Sequence, residues 1–301
     1  MTTAPRTAVI INPISGTGGR PDAARRRAEQ AAALLTALGV EAEIFVTERG
    51  GHARELATAV VDRGMPRVIA WGGDGTVNEV ASALVFRAAT LAVIPSGSGN
   101  GLARELCVPL DPAGAFATAV DGQTRVIDCG ELDGRLFFNV AGLGLDARVA
   151  HGFATRGLAR RGFRRYLEVA AREIFTYTAD EYSIVADGET RRSRALIVAL
   201  ANARQYGNGA LIAPNARVDD GKLDVVVIDD RPVWQTFLQV RKLFNGRIAS
   251  ISGVSITAAA AVEITSTRAA IYHVDGEPFV GSTRLKARAH AGALRVQVPI
   301  G

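Results

Sequence analysis

The run Trp71–Val80, WGGDGTVNEV, sets one acid, Asp74, among the glycines at 72, 73 and 75 and follows it with Asn78 and Glu79. A plain turn needs one glycine or two. Three around a carboxylate suit a backbone that passes close to something bulky and charged. Glycines at Gly72, Gly73 and Gly75 permit left-handed dihedrals and close approach of phosphates, and Asp74 can hold Mg²⁺ directly or through water. Asn78 and Glu79 are expected to open the next helix and face the same cleft, although an acid near a helix N-terminus can also simply complement the dipole.

Two other stretches share this texture. In Asn12–Arg20, NPISGTGGR, glycines let backbone N–H groups converge on an anion, and a following helix would present its positive end there. In Pro95–Ala103, PSGSGNGLA, small residues again offer N–H donors and hydroxyls without bulk, with Ser98 and Asn100 placed to meet a phosphate or ribose. None is a Walker A loop or a G-x-G-x-x-G fingerprint. An ordinary strand-to-helix loop would account for any one of them alone.

The elements that must position these turns can be read from periodicity. Thr7–Ile11 and Arg67–Trp71 are short apolar runs suited to buried strands, joined by Glu43–Val46 and Leu91–Ile94. Between them, Ala24, Ala28, Ala31, Leu35 and Leu38 fall at helical spacing, and His52–Asp62, Val77–Val85 and Leu102–Leu106 read as further helices. Alternating strand and helix predict an α/β domain, a parallel sheet with helices on both faces. Its ligands would bind outside the carboxyl ends of the strands, where all three glycine-rich turns fall. Beyond about residue 125 short strands dominate, with Pro232–Phe244 and Gly162–Tyr177 as the main helical candidates. The expected organisation is therefore an α/β domain over residues 1–128 and a β-rich, antiparallel sandwich over 129–301, with a last strand free to fold back onto the first domain.

Bulk composition bounds the rest. A chain of 301 residues, 48% hydrophobic and 22% charged, has ample core for one large domain or two. No window of 18 uncharged apolar residues occurs, and the first residues lack the apolar segment of a signal peptide. Two cysteines make neither a disulfide framework nor a zinc site, so a reduced, cytoplasmic protein is expected. The net charge of +5 favours anionic partners such as nucleotides, phosphates or an acidic membrane face, or else the arginine-rich composition reflects a GC-rich genome. With few aromatics and no recognised binding motif, nucleic acid is not expected as a partner.

The ordered set NPISGTGG, GGDGTVNEV and PSGSGNGLA resembles the diacylglycerol kinase catalytic fold of lipid kinases, a group that includes sphingosine and ceramide kinases. The likeness continues through Val126–Gly130, APNARVDDGKLDV (Ala213–Val225) and HVDGEPF (His273–Phe279), so it covers nearly the whole chain. It implies an ATP- and Mg²⁺-dependent kinase acting on a lipid hydroxyl, diacylglycerol foremost. It also implies ATP contacts at Asn12, Pro13, Ile14, Thr47, Gly73, Asp74, Gly75, Thr76, Val77, Asn78, Glu79 and Ser98. Glu277, of the Asp-Gly-Glu motif, becomes the general base; a lipid hydroxyl is a poor nucleophile and needs a carboxylate within hydrogen-bond reach. Asp74 and Asp128 suit a metal and water network. Asp220 resembles the side-chain ligand of a separate structural Mg²⁺, joined by the carbonyls of Arg217 and Lys222, although Asp219–Lys222 also reads as a simple hairpin turn.

Two departures bear on the substrate. Asn100-Gly101 stands where bacterial diacylglycerol kinases commonly have Asn-Asp, which brings the third turn closer to the sphingosine and ceramide kinase form. No lysine follows the first glycine turn, where Arg20 could contact phosphate instead. Gly157–Arg172, with arginines at 160, 161, 164 and 165 beside Phe163, Tyr166 and Leu167, suits transient docking on anionic lipid or a solvated basic face over a core helix. An NAD kinase-like soluble kinase and a non-catalytic binding protein are the other readings, and a homodimer is left open.

Overall fold

The computed structural model describes residues 6–16, 22–155, 173, 177–206 and 209–300. The basic segment Gly157–Arg172, Arg20 and nearly all of the helix expected over Gly162–Tyr177 lie outside them. The chain divides into two units, Met1–Ile127 together with Gly292–Gly301, and Asp128–Ala291.

The first unit is built on β1 (Thr7–Ile11), β2 (Glu43–Val46), β3 (Arg67–Gly72) and β4 (Thr90–Pro95). They lie in the order β2-β1-β3-β4, all parallel, and Arg295 and Val296 near the C-terminus add parallel to Thr90 and Leu91. Every residue of β1 is buried, as are the β3 and β4 residues beyond Arg67 and Thr90. That explains why these strands read as continuous apolar runs without alternation. Each of the larger buried aliphatic side chains, such as Ile10, Ile69 and Leu91, contributes roughly 1.5–3 kcal/mol. The connecting helices are α1 (Ala23–Ala37), α2 (His52–Asp62), α3 (Asp74–Leu84), α4 (Gly101–Glu105) and α5 (Pro112–Asp121).

Two of these helices differ from the sequence reading. On α1 the buried stripe is Ala23, Arg27, Ala31 and Leu35, one position away from the expected one at its start, because an arginine occupies an inward position. Helix α3 begins at Asp74, three residues earlier than expected, with extended Gly73 as its N-cap. The glycine turn is thus short, and Asn78 and Glu79 sit in the second turn of the helix.

The second unit is antiparallel and β-rich. From the end of β5 (Gln123–Leu132) the chain runs through β6 (Arg135–Phe137), β7 (Val140–Gly144), α6 (Leu145–Thr155), β8 (Asp180–Ala186), β9 (Glu189–Ala201) and β10 (Leu223–Asp229). Next come α7 (Val233–Phe244), β11 (Val254–Ala259), β12 (Ala261–Ser266), β13 (Ile271–Val274), β14 (Glu277–Val280) and the first half of β15 (Arg284–Val298). The thirteen-residue β9 is the spine, pairing with β7, β8 and β10. Its main core gathers Leu143, Tyr182, Val198, Leu200, Val225, Ile264 and Tyr272. Cys129 is buried at the edge of this unit, and its thiol is pushed up to about 12 by burial first and by the neighbouring charges of Asp128, Glu131 and Asp275. Cys107 is exposed. A thiol-specific reagent at about pH 8 is therefore expected to modify one thiol of the native chain and two after unfolding, since only the thiolate reacts. Rapid native labelling of both would contradict this.

Candidate functional site

The three glycine-rich turns follow β1, β3 and β4 at the carboxyl edge of one parallel sheet, and a web of short contacts locks them together. Ser15 Oγ accepts the Gly73 N–H at 2.9 Å, Asn12 Nδ2 donates to Thr76 Oγ1 at 2.8 Å, and the Ser96 N–H bonds the Gly72 carbonyl at 2.9 Å. Asp74 ties the second turn to the third: its Oδ2 accepts from Asn100 N–H at 2.9 Å and its Oδ1 from Gly101 N–H at 2.7 Å. The Asn100 side chain closes its own turn, accepting from Gly97 N–H and donating to the Gly97 carbonyl.

Glycine is required where these turns touch. A Cβ on Gly97 would stand 2.8 Å from the Cα of Gly73, and one on Gly16, whose φ is +70°, would stand 2.2 Å from the Ser96 carbonyl oxygen. What remains is a rim of backbone donors. Among the described residues the Ser98 and Gly99 N–H groups have no partner, and the first-turn N–H groups of α3, Gly75 and Thr76 included, have none inside the helix. With the positive end of α3 behind them, such donors suit an anion.

Each residue expected to hold nucleotide can now be placed. Asn12 Oδ1 turns inward to accept the Ile14 N–H, while the Ile14 side chain is exposed. Thr47 is buried at the end of β2, its N–H on the Ile11 carbonyl. Thr76 and Val77 are buried, Gly75 and Ser98 are exposed, and Pro13 and Asn78 are half-buried. Glu79 takes the dipole-complement role, toward a neighbouring helix. Its Oε1 accepts the Gly51 N–H at 2.9 Å and its Oε2 the Ala53 N–H at 3.1 Å, so the carboxylate caps α2.

Two residues of this edge escaped the sequence reading. One is Ser15. The other is Arg27, which donates to the carbonyls of Asn12 and Ser15 and lies 5.4 Å over the Trp71 ring. Burial lowers its pKa, though a guanidinium remains charged throughout the working range. Arg27 thereby fixes two carbonyls at the start of the first turn. One charged residue within an alanine-leucine stripe of four-residue spacing was its signal in the sequence.

The second unit carries the other candidates. Asp128 is buried; its N–H donates to the Val218 carbonyl and its Oδ2 accepts the Gly221 N–H, both at 2.6 Å. It therefore braces the very turn that holds Asp220. Asp220 is exposed, with Oδ1 accepting the Lys222 N–H at 3.1 Å, and the Arg217 side chain turns to Asp219, leaving its carbonyl as the donor of interest. Nearby Asp224 has its carboxyl pushed up, first by burial and then by the charge of Asp220. A carboxylate with main-chain carbonyls is the kind of oxygen donor set a hard divalent cation prefers.

Asp275 and Gly276 form the two-residue turn between β13 and β14, with φ of +47° and +86°. The Asp275 carboxylate is spent on that turn, accepting the N–H groups of Phe138, Asn139 and Val140 at 2.9, 2.9 and 3.2 Å. Glu277, next in sequence, is exposed, and its carboxylate makes no hydrogen bond among the described residues.

Known proteins share this arrangement. Residues 6–132 match the family model of the diacylglycerol kinase catalytic domain, and residues 139–298 match that of the YegS C-terminal NAD kinase beta sandwich-like domain. The chain belongs to the diacylglycerol kinase-type lipid kinases. A Pseudomonas aeruginosa protein named "Probable lipid kinase YegS-like" is 32% identical to this kinase over 87% of its length and 86% of its own. The fold is that of a diacylglycerol kinase from Bacillus anthracis, with a TM-score of 0.71 at 20% identity over 98% of both chains. It is also similar to an NAD kinase from Archaeoglobus fulgidus solved with ATP, with a TM-score of 0.55 at 12% identity over 97% of this chain and 93% of that one. No described helix of this kinase is long and apolar enough to cross a membrane.

Proposed function

We propose that this kinase transfers the γ-phosphoryl group of ATP to a lipid hydroxyl, diacylglycerol foremost, to give phosphatidic acid. The observation that carries the reading is the set of three interlocked turns, whose unpartnered N–H groups and glycine backbone suit a nucleotide triphosphate. The acceptor hydroxyl needs a base, and of the two carboxylates in the Asp-Gly-Glu motif only Glu277 is uncommitted. Glu277 takes the hydroxyl proton as the oxygen attacks the γ-phosphorus and ADP leaves. Asp74 holds the second and third turns in register, and a carboxylate at that place suits a bound cation. Mg²⁺, when bound there, neutralises charge on the phosphates.

Gly101 favours a second acceptor class. It is buried, and its N–H is the Asp74 partner, so the turn closes without the carboxylate that relatives place there. That form is similar to the sphingosine and ceramide kinase turn. Labelled ATP with diacylglycerol, phosphatidylglycerol, sphingosine, ceramide and NAD in parallel tests both readings. Transfer to diacylglycerol above the rest is expected; transfer to NAD alone would overturn the lipid assignment.

The second cation site, at Asp220 with the carbonyls of Arg217 and Lys222, is proposed as structural. Asp220→Ala should lower the melting temperature in Mg²⁺ and abolish the difference between Mg²⁺ and EDTA. For a wild-type site with Mg²⁺ at ~100 times its dissociation constant, that difference corresponds to about 2.7 kcal/mol. Identical wild-type melting curves with and without the metal would remove the site.

A further inference from the structure

His273 has no task in the reaction above, yet it is 3% exposed beneath the turn that leads into Glu277. Its Nδ1 accepts the Gly276 N–H at 3.3 Å, which assigns the proton to Nε2, and Nε2 donates to Asp146 Oδ2 at 3.2 Å. The same carboxylate oxygen accepts the Tyr206 hydroxyl at 2.8 Å, and Oδ1 accepts the Ala147 N–H at 2.7 Å. The Tyr206 and His273 rings are 6.1 Å apart. Gly142, paired with His273 across the β7–β13 ladder, makes the room: a Cβ there would stand 2.2 Å from Asp146 Oδ2 and 2.8 Å from His273 Nε2.

Burying a carboxylate costs several kcal/mol even when it is well bonded, and apolar residues would fill this space at less cost. The chain of bonds reaches the turn through the Gly276 N–H. The turn is thereby held at both of its residues, Asp275 by three N–H groups of 138–140 and Gly276 by His273. We propose that Tyr206, Asp146 and neutral His273 form a buried positioning network that fixes the aim of Glu277. This rests on Glu277 being the base. None of the three touches the reacting atoms; they act through the turn.

Two substitutions at one position test it. Asparagine places an acceptor where Nδ1 stood and so keeps the Gly276 bond while losing Asp146. Glutamine places a donor where Nε2 stood and does the reverse. His273→Gln is expected to lower kcat about 10- to 100-fold with KM for ATP within about twofold, because misplacing a reacting group by an ångström has effects of that size. His273→Asn should recover most of that loss, while melting temperatures of the two variants stay close together. Equal kcat losses in both variants, or a His273→Gln enzyme within about twofold of wild type, would overturn the network. Glu277→Gln runs alongside: high residual turnover there would remove the base and the network together, whereas its collapse beside an unaffected His273→Gln overturns the network alone.

Discussion

Glu277→Gln is expected to lower kcat by about 100-fold or more while leaving ATP affinity within about twofold, the size of a positioned proton transfer. The substitution keeps volume and hydrogen bonding and removes only basicity. Glu277 is exposed and carries no hydrogen bond among the described residues, so its loss strands no partner and should leave the fold intact. The neighbouring acid cannot stand in. Asp275 accepts three backbone N–H groups, and withdrawing it would undo the turn that carries Glu277. Asp275→Asn should therefore lower stability as well as rate, which separates the two acids. Single-turnover transfer from labelled ATP, with nucleotide binding measured independently, gives the result. If the Gln variant keeps more than about a tenth of wild-type kcat, Glu277 is not the base.

How much of this was legible in the sequence depends on how local each interaction is. The glycine turns could be read because their chemistry lies within a few consecutive residues, and the parallel strands because burial on both faces removes alternation. Helix α5 was not among the helices read from the sequence, although its cap is local, with Asp111 accepting the Gly114 N–H and Pro112 just inside. Glu79 could not be placed, because its partners Gly51 and Ala53 lie on another helix. Arg27 was hidden by a stripe of alanines that reads equally well one residue along. The network of Asp146, Tyr206 and His273 joins positions 60 and 127 residues apart, and nothing in a linear pattern brings them together. What the sequence conveyed was which turns gather at the carboxyl edge of the sheet; what it withheld was which side chains hold them together.

That distinction bears directly on Asp74→Asn, for which both kcat and KM for ATP are expected to worsen, with kcat/KM falling about 100-fold or more. Asp74 stands at the first position of α3 and accepts two N–H groups from the third turn. Asparagine has one acceptor oxygen. Its NH₂ must then face either the Asn100 or the Gly101 N–H, donor against donor, and a buried donor left unpaired costs about 1–3 kcal/mol. Gly101 is buried, so water offers little relief. The third turn should therefore lose register with the second, weakening the rim of N–H groups that would meet the phosphates, and the lost charge further weakens any bound cation. The two effects separate by titration with Mg²⁺. Were the carboxylate only a cation ligand, high Mg²⁺ would restore the variant; a brace between turns predicts that KM for ATP stays raised and the melting temperature stays low at saturating Mg²⁺. Full recovery under those conditions, or a kcat/KM within about tenfold of wild type, would return Asp74 to the single role that its place in the glycine run first suggested.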